Sequence, residues 1–201
     1  MPHRRNIPTQ ARSAATYEKI LASATEVLVE EGLNGFNTNA VAERASVNVG
    51  SIYRYFANKT DLLKELYLVD QGRRNDYVYA RFVALPASAN MAAFVAETTK
   101  NLVRMRREHP ESIPLRRACL AVPELVDLEH EETTVYAAKL AAALRNRYPH
   151  LSKTRALAAA WVVAQAGSSL LDALLSEPTL GRVFNHELNT ALTVYFQSLE
   201  T

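Results

Sequence analysis

Residues 37–60 constrain the fold more than any other stretch of the chain, because their pattern predicts two short helices joined by a tight turn. The first helix is predicted over residues 38–45, with its apolar side chains facing inward at helical spacing. Thr38 is its predicted N-cap, because a hydroxyl there can accept a hydrogen bond from an unpaired backbone N–H. Ser46 and Val47 are predicted to form the turn, with Val47 buried.

The second helix is predicted from residue 49 to about residue 56, with Asn48 as its N-cap and with Ile52 and Phe56 facing the interior. The residues expected on its outer face are Val49, Gly50, Ser51, Tyr53, Arg54 and Tyr55. Two short helices joined by such a turn form a helix-turn-helix, whose second helix lies in the major groove of DNA. This stretch therefore predicts a DNA-binding domain.

Length and composition predict an all-α protein with two parts. A chain of 201 residues can bury a sizeable core and is long for one compact domain. Nearly half of the residues are hydrophobic, and only 6 are Gly and 8 are Pro, which favours long helices.

The single cysteine rules out an internal disulfide and fits a reducing compartment. No apolar run follows Arg4 and Arg5 at the N-terminus, so this stretch does not resemble a secretory signal. We therefore expect a cytoplasmic protein.

Positive charge is concentrated near the N-terminus, although the formal net charge of the chain is only +2. Residues 1–17 contain Arg4, Arg5 and Arg12 and no acidic residue before Glu18. Such a cluster favours contact with DNA phosphates, which supply most non-specific affinity. We predict a flexible basic tail over residues 1–12, and a solvated tail without any role in binding is the alternative.

The rest of the chain predicts a series of helices, about nine in total. The first part is predicted to be a three-helix helix-turn-helix domain over residues 13–60, followed by a larger helical domain for effector binding and dimerisation over residues 61–201. The remaining helices are predicted from residue 13 or 14 to 31, from a cap at Thr60 or Asp61 to about residue 85, and over residues 91–109, 114–122, 123–148, 152–175 and 184–199. Gly32 is expected to end the first of them.

The helix-turn-helix stretch also resembles a known family. The residues that carry the resemblance are, in order, Thr38, Val41, Ala42, Ala45, Ser46, Val47, Gly50, Ser51, Ile52, Tyr53, Tyr55, Phe56, Asn58, Lys59, Asp61, Leu62 and Leu63. Together they resemble the DNA-binding domain of the TetR family of bacterial repressors, over residues 14–64, about a quarter of the chain. Two positions depart from the family pattern. Ser46 stands where the family usually has Gly, which implies a left-handed backbone that glycine enters more easily than serine. Val49 stands where the family often has a polar or basic residue.

The resemblance implies a symmetric dimer that represses transcription by occupying a near-palindromic stretch of double-stranded DNA. The implied DNA contacts are Thr38, Asn39, Asn48, Val49, Gly50, Ser51, Tyr53, Arg54, Tyr55 and Lys59. Val49 has no polar atom and is suited to a thymine methyl, whereas Lys59 would act on phosphate through its charge. Arg54 would reach a guanine or a phosphate, or would only solvate the helix. The alternative for Tyr53 and Tyr55 is that they are half-buried packing residues.

The resemblance further implies a small-molecule effector that binds among the helices of the larger domain and lowers DNA affinity. Apolar walls with a few polar groups are typical of ligand sites. The candidate lining residues are Phe94, Thr98, Asn101, Met105, Cys119, Trp161 and Gln165, with ordinary core as the alternative for each.

The last two predicted helices carry apolar stripes suited to a four-helix bundle across a two-fold axis. The predicted interface residues are Leu157, Trp161, Ala164, Ser168, Leu171, Leu175, Leu188, Leu192 and Tyr195. Spacing alone does not distinguish this interface from intrachain core.

An enzyme is the competing class, and the sequence disfavours it. The five histidines have no metal-ligand spacing, and Cys119 has no histidine partner evident in the sequence. The chain also has no glycine-rich phosphate loop and no GxSxG motif. We therefore expect no catalytic residues, metal or cofactor. A DNA-binding protein of the same fold with an activating or nucleoid-structural role, and without an effector, remains the alternative function.

Overall fold

The computed structural model of the chain describes residues 11–176 and 181–200, and these residues form helices and no strands. The helices are α1 (Ala11–Gly35), α2 (Thr38–Arg44), α3 (Val49–Tyr53), α4 (Lys59–Val83), α5 (Met91–Glu108), α6 (Ser112–Ala121), α7 (Pro123–Arg147), α8 (Lys153–Ser176) and α9 (Gly181–Gln197). The predicted all-α class with about nine helices is confirmed. The predicted tail lies outside the described residues, except for residues 11 and 12, which begin α1.

The N-cap of α2 is Asn37, so the prediction of Thr38 was wrong. The Asn37 side-chain oxygen accepts hydrogen bonds from the backbone N–H groups of Asn39 at 3.0 Å and Ala40 at 2.9 Å. Asparagine is a better N-cap than threonine, and here it stands one residue earlier. The hydroxyl of Thr38 is thereby available for other contacts.

Three further helix boundaries follow from local chemistry. Gly32 has a φ of 65°, which ends the regular part of α1 as predicted, although a further turn extends to Gly35. Helix α3 ends at Tyr53, three residues earlier than expected. At the start of α4 the Asn58 side chain accepts a hydrogen bond from the N–H of Asp61 at 2.9 Å. The cap is therefore Asn58, and the prediction of a later cap was wrong for the same reason as in α2.

The first of two compact units contains the described residues up to Gly72 together with His109–Leu128. Its core joins α1 to α2, α3, the start of α4 and α6, and includes Ile20, Val27, Leu28, Phe36, Ile52, Leu62, Leu63 and Leu115. Helix α6 packs against α1 in this unit. The buried hydroxyl of Ser112 on α6 donates a hydrogen bond to the Asp70 carboxylate on α4 at 2.5 Å.

The second compact unit contains Arg73–Glu108 and the described residues from Glu129 onward. Helix α9 packs against α5 and α8, and α5 also contacts α8. The core of this unit includes Phe82, Phe94, Leu140, Leu144, Ala156, Ala160, Phe196 and Leu199. Three alanines of α8, at positions 156, 159 and 160, are buried within the unit, so the small side chains of this stretch serve intrachain packing.

The compact units divide the chain differently from the two predicted domains. Helices α4 and α7 each contribute residues to both units, and α6 belongs to the unit that holds the helix-turn-helix. The division into a domain over residues 13–60 and another over residues 61–201 stays a prediction. No helix in the described part of the chain has the length and apolar character needed to cross a membrane.

Candidate DNA-binding surface and ligand cavity

The turn between α2 and α3 has the geometry that the sequence predicts. Ser46 has a φ of 49°, in the left-handed region. The N–H of Val47 then donates to the carbonyl of Ala42 at 3.0 Å, and the half-buried Val47 packs against the core. Asn48 caps α3 by accepting a hydrogen bond from the N–H of Gly50 at 2.8 Å. A Cβ at Gly50 would lie 3.2 Å from the same Asn48 oxygen, so glycine suits both the cap and a close approach of the backbone.

The inward faces of the two short helices fix the direction of the outward faces. Val41, Ala42 and Ala45 of the first helix are buried against α1, as is Ile52 of α3. Phe56, which follows α3, is buried in the same core. These inward positions confirm the predicted pattern, and they leave the opposite side of α2 and α3 toward solvent.

The outward side of the motif presents a hydroxyl pair. Tyr53 is 53% exposed, and its hydroxyl oxygen lies 3.2 Å from the hydroxyl oxygen of Thr38. Asn39 and Arg54 are exposed on the same motif. This pair joins Thr38 in the first turn of α2 to Tyr53 in the last turn of α3. Two hydrogen-bonding groups are thus held together at the surface.

Val49 and Ser51, both expected on the outer face, are half-buried. Val49 packs against the core of the first unit, so only part of its side chain faces solvent. The start of α3 therefore exposes mainly the backbone of Gly50 and the cap residue Asn48. An apolar side chain of this kind can contact a methyl group but offers no hydrogen bond.

Tyr55 faces α1, so the prediction that it points outward was wrong. Its hydroxyl lies 2.9 Å from the Ser13 hydroxyl and donates to the Ser13 carbonyl at 3.2 Å. Its ring meets the ring of Tyr17 edge-on, with the ring centroids 5.7 Å apart. Tyr55 stands three residues after the buried Ile52, so helical spacing places it beside the inward face, and the N–H of Phe56 still donates to the carbonyl of Ile52 at 2.9 Å. The packing alternative applies to this tyrosine.

Lys59 has a partner inside the protein. Its ammonium group donates a hydrogen bond to the carbonyl of Leu33 at 3.1 Å, just beyond the break in α1 at Gly32. A cation at this end of a helix stabilises carbonyls that lack intrahelical partners. An ammonium has three donors, so this bond leaves two of them for other acceptors.

Arg44 joins α2 to α1 through two carboxylates. Its guanidinium lies 2.6 Å from Glu30 and 3.3 Å from Glu26. The hydrogen bond from Arg44 holds the pKa of Glu30 below its ordinary value. Arg54, which directly follows α3, is exposed, and its guanidinium carbon lies 5.9 Å from the centre of the Tyr55 ring.

The second unit contains a cavity of about 100 Å³. Its apolar walls include Val78, Phe82, Phe94, Val95, Leu140 and Phe196, and its polar lining consists of Arg74, Asn75, Thr98, Thr99, Tyr136 and Ser168. Mostly apolar walls with a few polar groups are the usual composition of a small-molecule site. Among the described residues, no group of three or more His, Cys, Asp or Glu side chains could hold a metal ion.

The predicted effector residues agree with this cavity only in part. Phe94 and Thr98 line it, whereas Asn101, Met105, Trp161 and Gln165 are not among its lining residues. Cys119 is buried in the core of the first unit and does not line this cavity, so its place in an effector site stays a prediction. The sequence also gave no signal for Arg74 or Tyr136, because their helical stripes resemble those of ordinary core.

The predicted interface residues on α8 and α9 fall into two groups. Leu188 is only 3% exposed and lines the cavity together with Ala164, Ser168 and Leu192, which are half-buried. Leu188 is therefore buried within a single chain, and the place of the other three in an interface stays a prediction.

The other predicted interface residues leave an exposed apolar surface. Leu157 is exposed, Trp161 and Tyr195 are half-buried, and the side chains of Leu171 and Leu175 lie outside the described residues. Additional exposed valines, which the sequence did not single out, are Val162 on α8 and Val183 and Val194 on α9.

The sequence matches two family profiles. Residues 20–66 match "Bacterial regulatory proteins, tetR family", and residues 90–195 match "Tetracyclin repressor-like, C-terminal domain". An uncharacterized HTH-type transcriptional regulator of Mycobacterium tuberculosis is 36% identical over 67 residues, which are 33% of this chain and 32% of that protein. The fatty acid metabolism regulator protein of Bacillus subtilis is 37% identical over 57 residues, 28% of this chain and 29% of that protein. The chain thus spans about a third of the length of the curated relatives it matches.

Solved structures resemble the chain over nearly its full length. Salmonella enterica GusR has a TM-score of 0.68 at 18% identity, covering 96% of this chain and 98% of that one. A TetR-family regulator from Streptomyces coelicolor has a TM-score of 0.67 at 20% identity, covering 92% and 99%. At these identities the likeness establishes the fold, and the two profile matches establish the relationship. The chain therefore belongs to the TetR family, whose members are transcriptional regulators.

Proposed function

We propose that the protein is a dimeric repressor that occupies a near-palindromic operator and leaves it when a small-molecule effector binds. The Thr38–Tyr53 pair carries the DNA-binding part of this proposal. Two exposed hydroxyls 3.2 Å apart can bind a single phosphate oxygen between them. A phosphate held at this point would fix the register of the motif and direct the start of α3 into the major groove.

The remaining surface residues then divide into phosphate and base contacts. Asn39, in the first turn of α2, would meet the same phosphate or its neighbour, and Asn48 with Gly50 would bring the backbone close to DNA. Ser51 and Arg54 would contact base edges, Arg54 preferring guanine, while Val49 would contact a thymine methyl. Lys59 would add a sequence-independent phosphate contact through its two remaining donors. Tyr55 would position α3 through Ser13 and Tyr17.

The hydroxyl pair can be tested with isosteric variants. Tyr53→Phe and Thr38→Val each remove one hydroxyl and should each weaken operator binding about ten-fold or more, because a hydrogen bond to a charged group is lost. The double variant should bind little worse than either single one, since both hydroxyls serve one phosphate. Gel-shift titration at fixed salt measures these affinities. Additive losses would mean that the two residues contact DNA independently.

Dimerisation would use the exposed valines of α8 and α9 with Leu157 and Trp161. A two-fold axis through this surface would bury it against its copy and set the two recognition helices about 34–36 Å apart. Val194→Glu should produce monomers, because Val194 is 57% exposed and a charge there would be buried in the dimer. Val135→Glu is the matched control, a 60% exposed valine on α7. Light scattering would measure the mass of each variant in solution. A Val194→Glu variant that remains a dimer would contradict the proposed interface.

The experiment that tests the whole proposal is selection of bound sequences from random duplex DNA by the purified protein. A short palindrome bound by a dimer supports the repressor. Enrichment of many unrelated sequences would instead support a nucleoid-structural role. With the palindrome in hand, transcription from a reporter that carries it distinguishes repression from activation.

A further inference from the structure

The cavity of the second unit lies where one helix contributes only small side chains. Ala164, Gly167 and Ser168 share one face of α8, and all three line the cavity. A Cβ at Gly167 would have no heavy atom within 4 Å, so the space beside this helix is open. Other walls are large, and they include the rings of Phe82 and Phe94, whose centroids lie 6.0 Å apart. The large side chains do not fill the space that the small ones leave.

The polar part of the described lining favours a neutral guest. Arg74 is the charged residue of that lining, and it already has an interaction within the protein. An anionic guest would therefore meet no unpaired cation there, whereas a cationic guest would meet a like charge. The other polar groups are neutral hydroxyls and one amide from four helices, and they belong to Asn75, Thr98, Thr99, Tyr136 and Ser168.

The hydroxyl of Tyr136 is the group that most favours a guest with an acceptor oxygen. Among the described residues this hydroxyl has no hydrogen-bond partner, although Tyr136 is half-buried and lines the cavity. Burial, followed by the negative charge of Asp76, raises the pKa of the hydroxyl, so it stays protonated at neutral pH and can donate a hydrogen bond. A tyrosine hydroxyl that is withdrawn from water usually has a partner. The charge of Asp76 also disfavours an anion as that partner.

The volume of the cavity sets the size of the guest. A cavity of about 150 Å³ holds the six carbon atoms of benzene. The cavity here has about 100 Å³, roughly two-thirds of that volume, so similar packing gives a guest of about four non-hydrogen atoms. A ring with a side arm, or a long acyl chain, would require the helices to move apart.

We propose that this cavity binds a neutral carbonyl compound of about four non-hydrogen atoms, whose oxygen accepts a hydrogen bond from the Tyr136 hydroxyl. The inference rests on the proposed function, because it names the chemical class of the effector. The apolar groups of the guest would contact the walls that include Phe82 and Phe94. A carboxylate of the same shape would bring a charge into a lining without an unpaired cation, which costs far more free energy than burying a hydrogen-bonded carbonyl.

The probe is acetone, added to the full-length protein without DNA and followed by NMR of the valine methyl groups. Val78, Val95 and Val163 line the cavity, so their methyl resonances should shift and saturate as acetone is added. Val135, a 60% exposed valine on α7 outside the described lining, should not respond in this way. Shifts that never saturate, or that appear equally at Val135, would be a general solvent effect and would overturn the site.

Acetate tests the preference for a neutral guest. It has the planar shape and the size of acetone, but it carries a negative charge. We expect it to bind at least about ten-fold more weakly than acetone, because its charge would be withdrawn from water without a counterion. Acetate that binds as tightly as acetone would overturn the neutral assignment.

Two variants locate the guest. Tyr136→Phe removes only the hydroxyl and should weaken acetone binding about ten-fold, because the buried carbonyl loses its donor. Tyr79→Phe is the matched control, a half-buried tyrosine on α4 outside the described cavity lining, and it should leave the affinity unchanged. Gly167→Leu adds a side chain of about the size of the guest and should abolish binding. Circular dichroism verifies that each variant is folded. Unchanged affinity in Tyr136→Phe would overturn the hydrogen bond, and binding that survives Gly167→Leu would overturn the cavity as the site.

Measuring operator release separately keeps the two proposals distinct. If acetone binds as described but the operator complex persists at saturating acetone, the cavity assignment stands and effector-controlled repression fails. If a different small molecule releases the operator while acetone does not bind, repression stands and the assignment to a small carbonyl compound is overturned.

Discussion

The helix-turn-helix and the cavity are both built from helices, but different interactions position their functional residues. In the first unit Asn37, Ser46 and Asn48 fix the backbone through contacts with residues at most a few positions away. In the second unit the cavity is bounded by α4, α5, α7, α8 and α9, so residues as far apart as Arg74 and Phe196 face the same space. Local chemistry therefore determines the first site, and tertiary packing determines the second.

The largest effect that separates the two regions should come from core truncation. Ile52→Ala removes a side chain that is 0% exposed under α3, so we expect the free energy of unfolding to fall by about 2–5 kcal/mol. Leu192→Ala should cost less, about 1–2 kcal/mol, because Leu192 is half-buried and already borders a cavity. Urea denaturation followed by circular dichroism at one protein concentration measures both.

Val69→Ala is the control for these truncations, an exposed β-branched residue of the first unit whose change should be within about 0.5 kcal/mol. Equal losses of unfolding free energy in Ile52→Ala and Leu192→Ala would contradict the expected difference between the two units. The surroundings of the cavity would then be packed as tightly as the core beneath the DNA-binding motif.

The same contrast explains what the sequence could predict. The inward positions of α2 and α3 and the cap at Asn48 followed from spacing and cap chemistry, and the left-handed Ser46 followed from the resemblance to the family. Tyr55 was misplaced although it stands three residues after the inward Ile52, a spacing that puts both on neighbouring sides of one helix face. The caps at Asn37 and Asn58 each stand one or more residues before the predicted ones.

In the second unit helical spacing identified apolar stripes but not the surfaces that they face. Phe94 and Thr98 were found, yet Arg74 and Tyr136 were not, because nothing near them in the sequence marks an enclosed space. Leu188 has the same spacing as an interface residue and is buried within its own chain. Only the packing of several helices decides between these outcomes.

Two glycines should respond in opposite ways to the same change. A Cβ at Gly35 would lie 2.6 Å from the Cβ of Glu31, so Gly35→Ala forces a local shift and should cost about 1–3 kcal/mol. A Cβ at Gly167 meets open space inside α8, so Gly167→Ala should stabilise by about 0.5–1 kcal/mol through helix propensity. Thermal melts compare the two. A destabilised Gly167→Ala would mean that this position needs its glycine for packing.

Each unit also contains an arginine–glutamate contact that should make stability depend weakly on pH. Arg44 lies 2.6 Å from Glu30 in the first unit, and Arg81 lies 2.7 Å from Glu97 in the second. In both, the hydrogen bond from the arginine lowers the pKa of the glutamate. A carboxyl with a lowered folded pKa stabilises the fold above its unfolded pKa of about 4.3. The contribution is lost as the pH falls through the folded pKa, so acid should destabilise both contacts.

Glu30→Gln and Glu97→Gln should each flatten this acid dependence, and salt should distinguish the two contacts. Both carboxylates are largely exposed, so solvent and salt screen them and the effects are small. Arg81 also lies 5.7 Å from the ring centres of Tyr77 and Phe94, and cation–π contacts of this kind are less sensitive to ionic strength than an exposed ion pair. Raising salt from about 0.1 M to about 1 M should therefore shift the acid unfolding midpoint less for Glu30→Gln than for the unmodified protein, because the more screened contact is already gone. In Glu97→Gln, the salt-induced shift of the acid unfolding midpoint should be nearly the same as in the unmodified protein. Equal changes in both variants would mean that the aromatic contacts of Arg81 do not protect its ion pair.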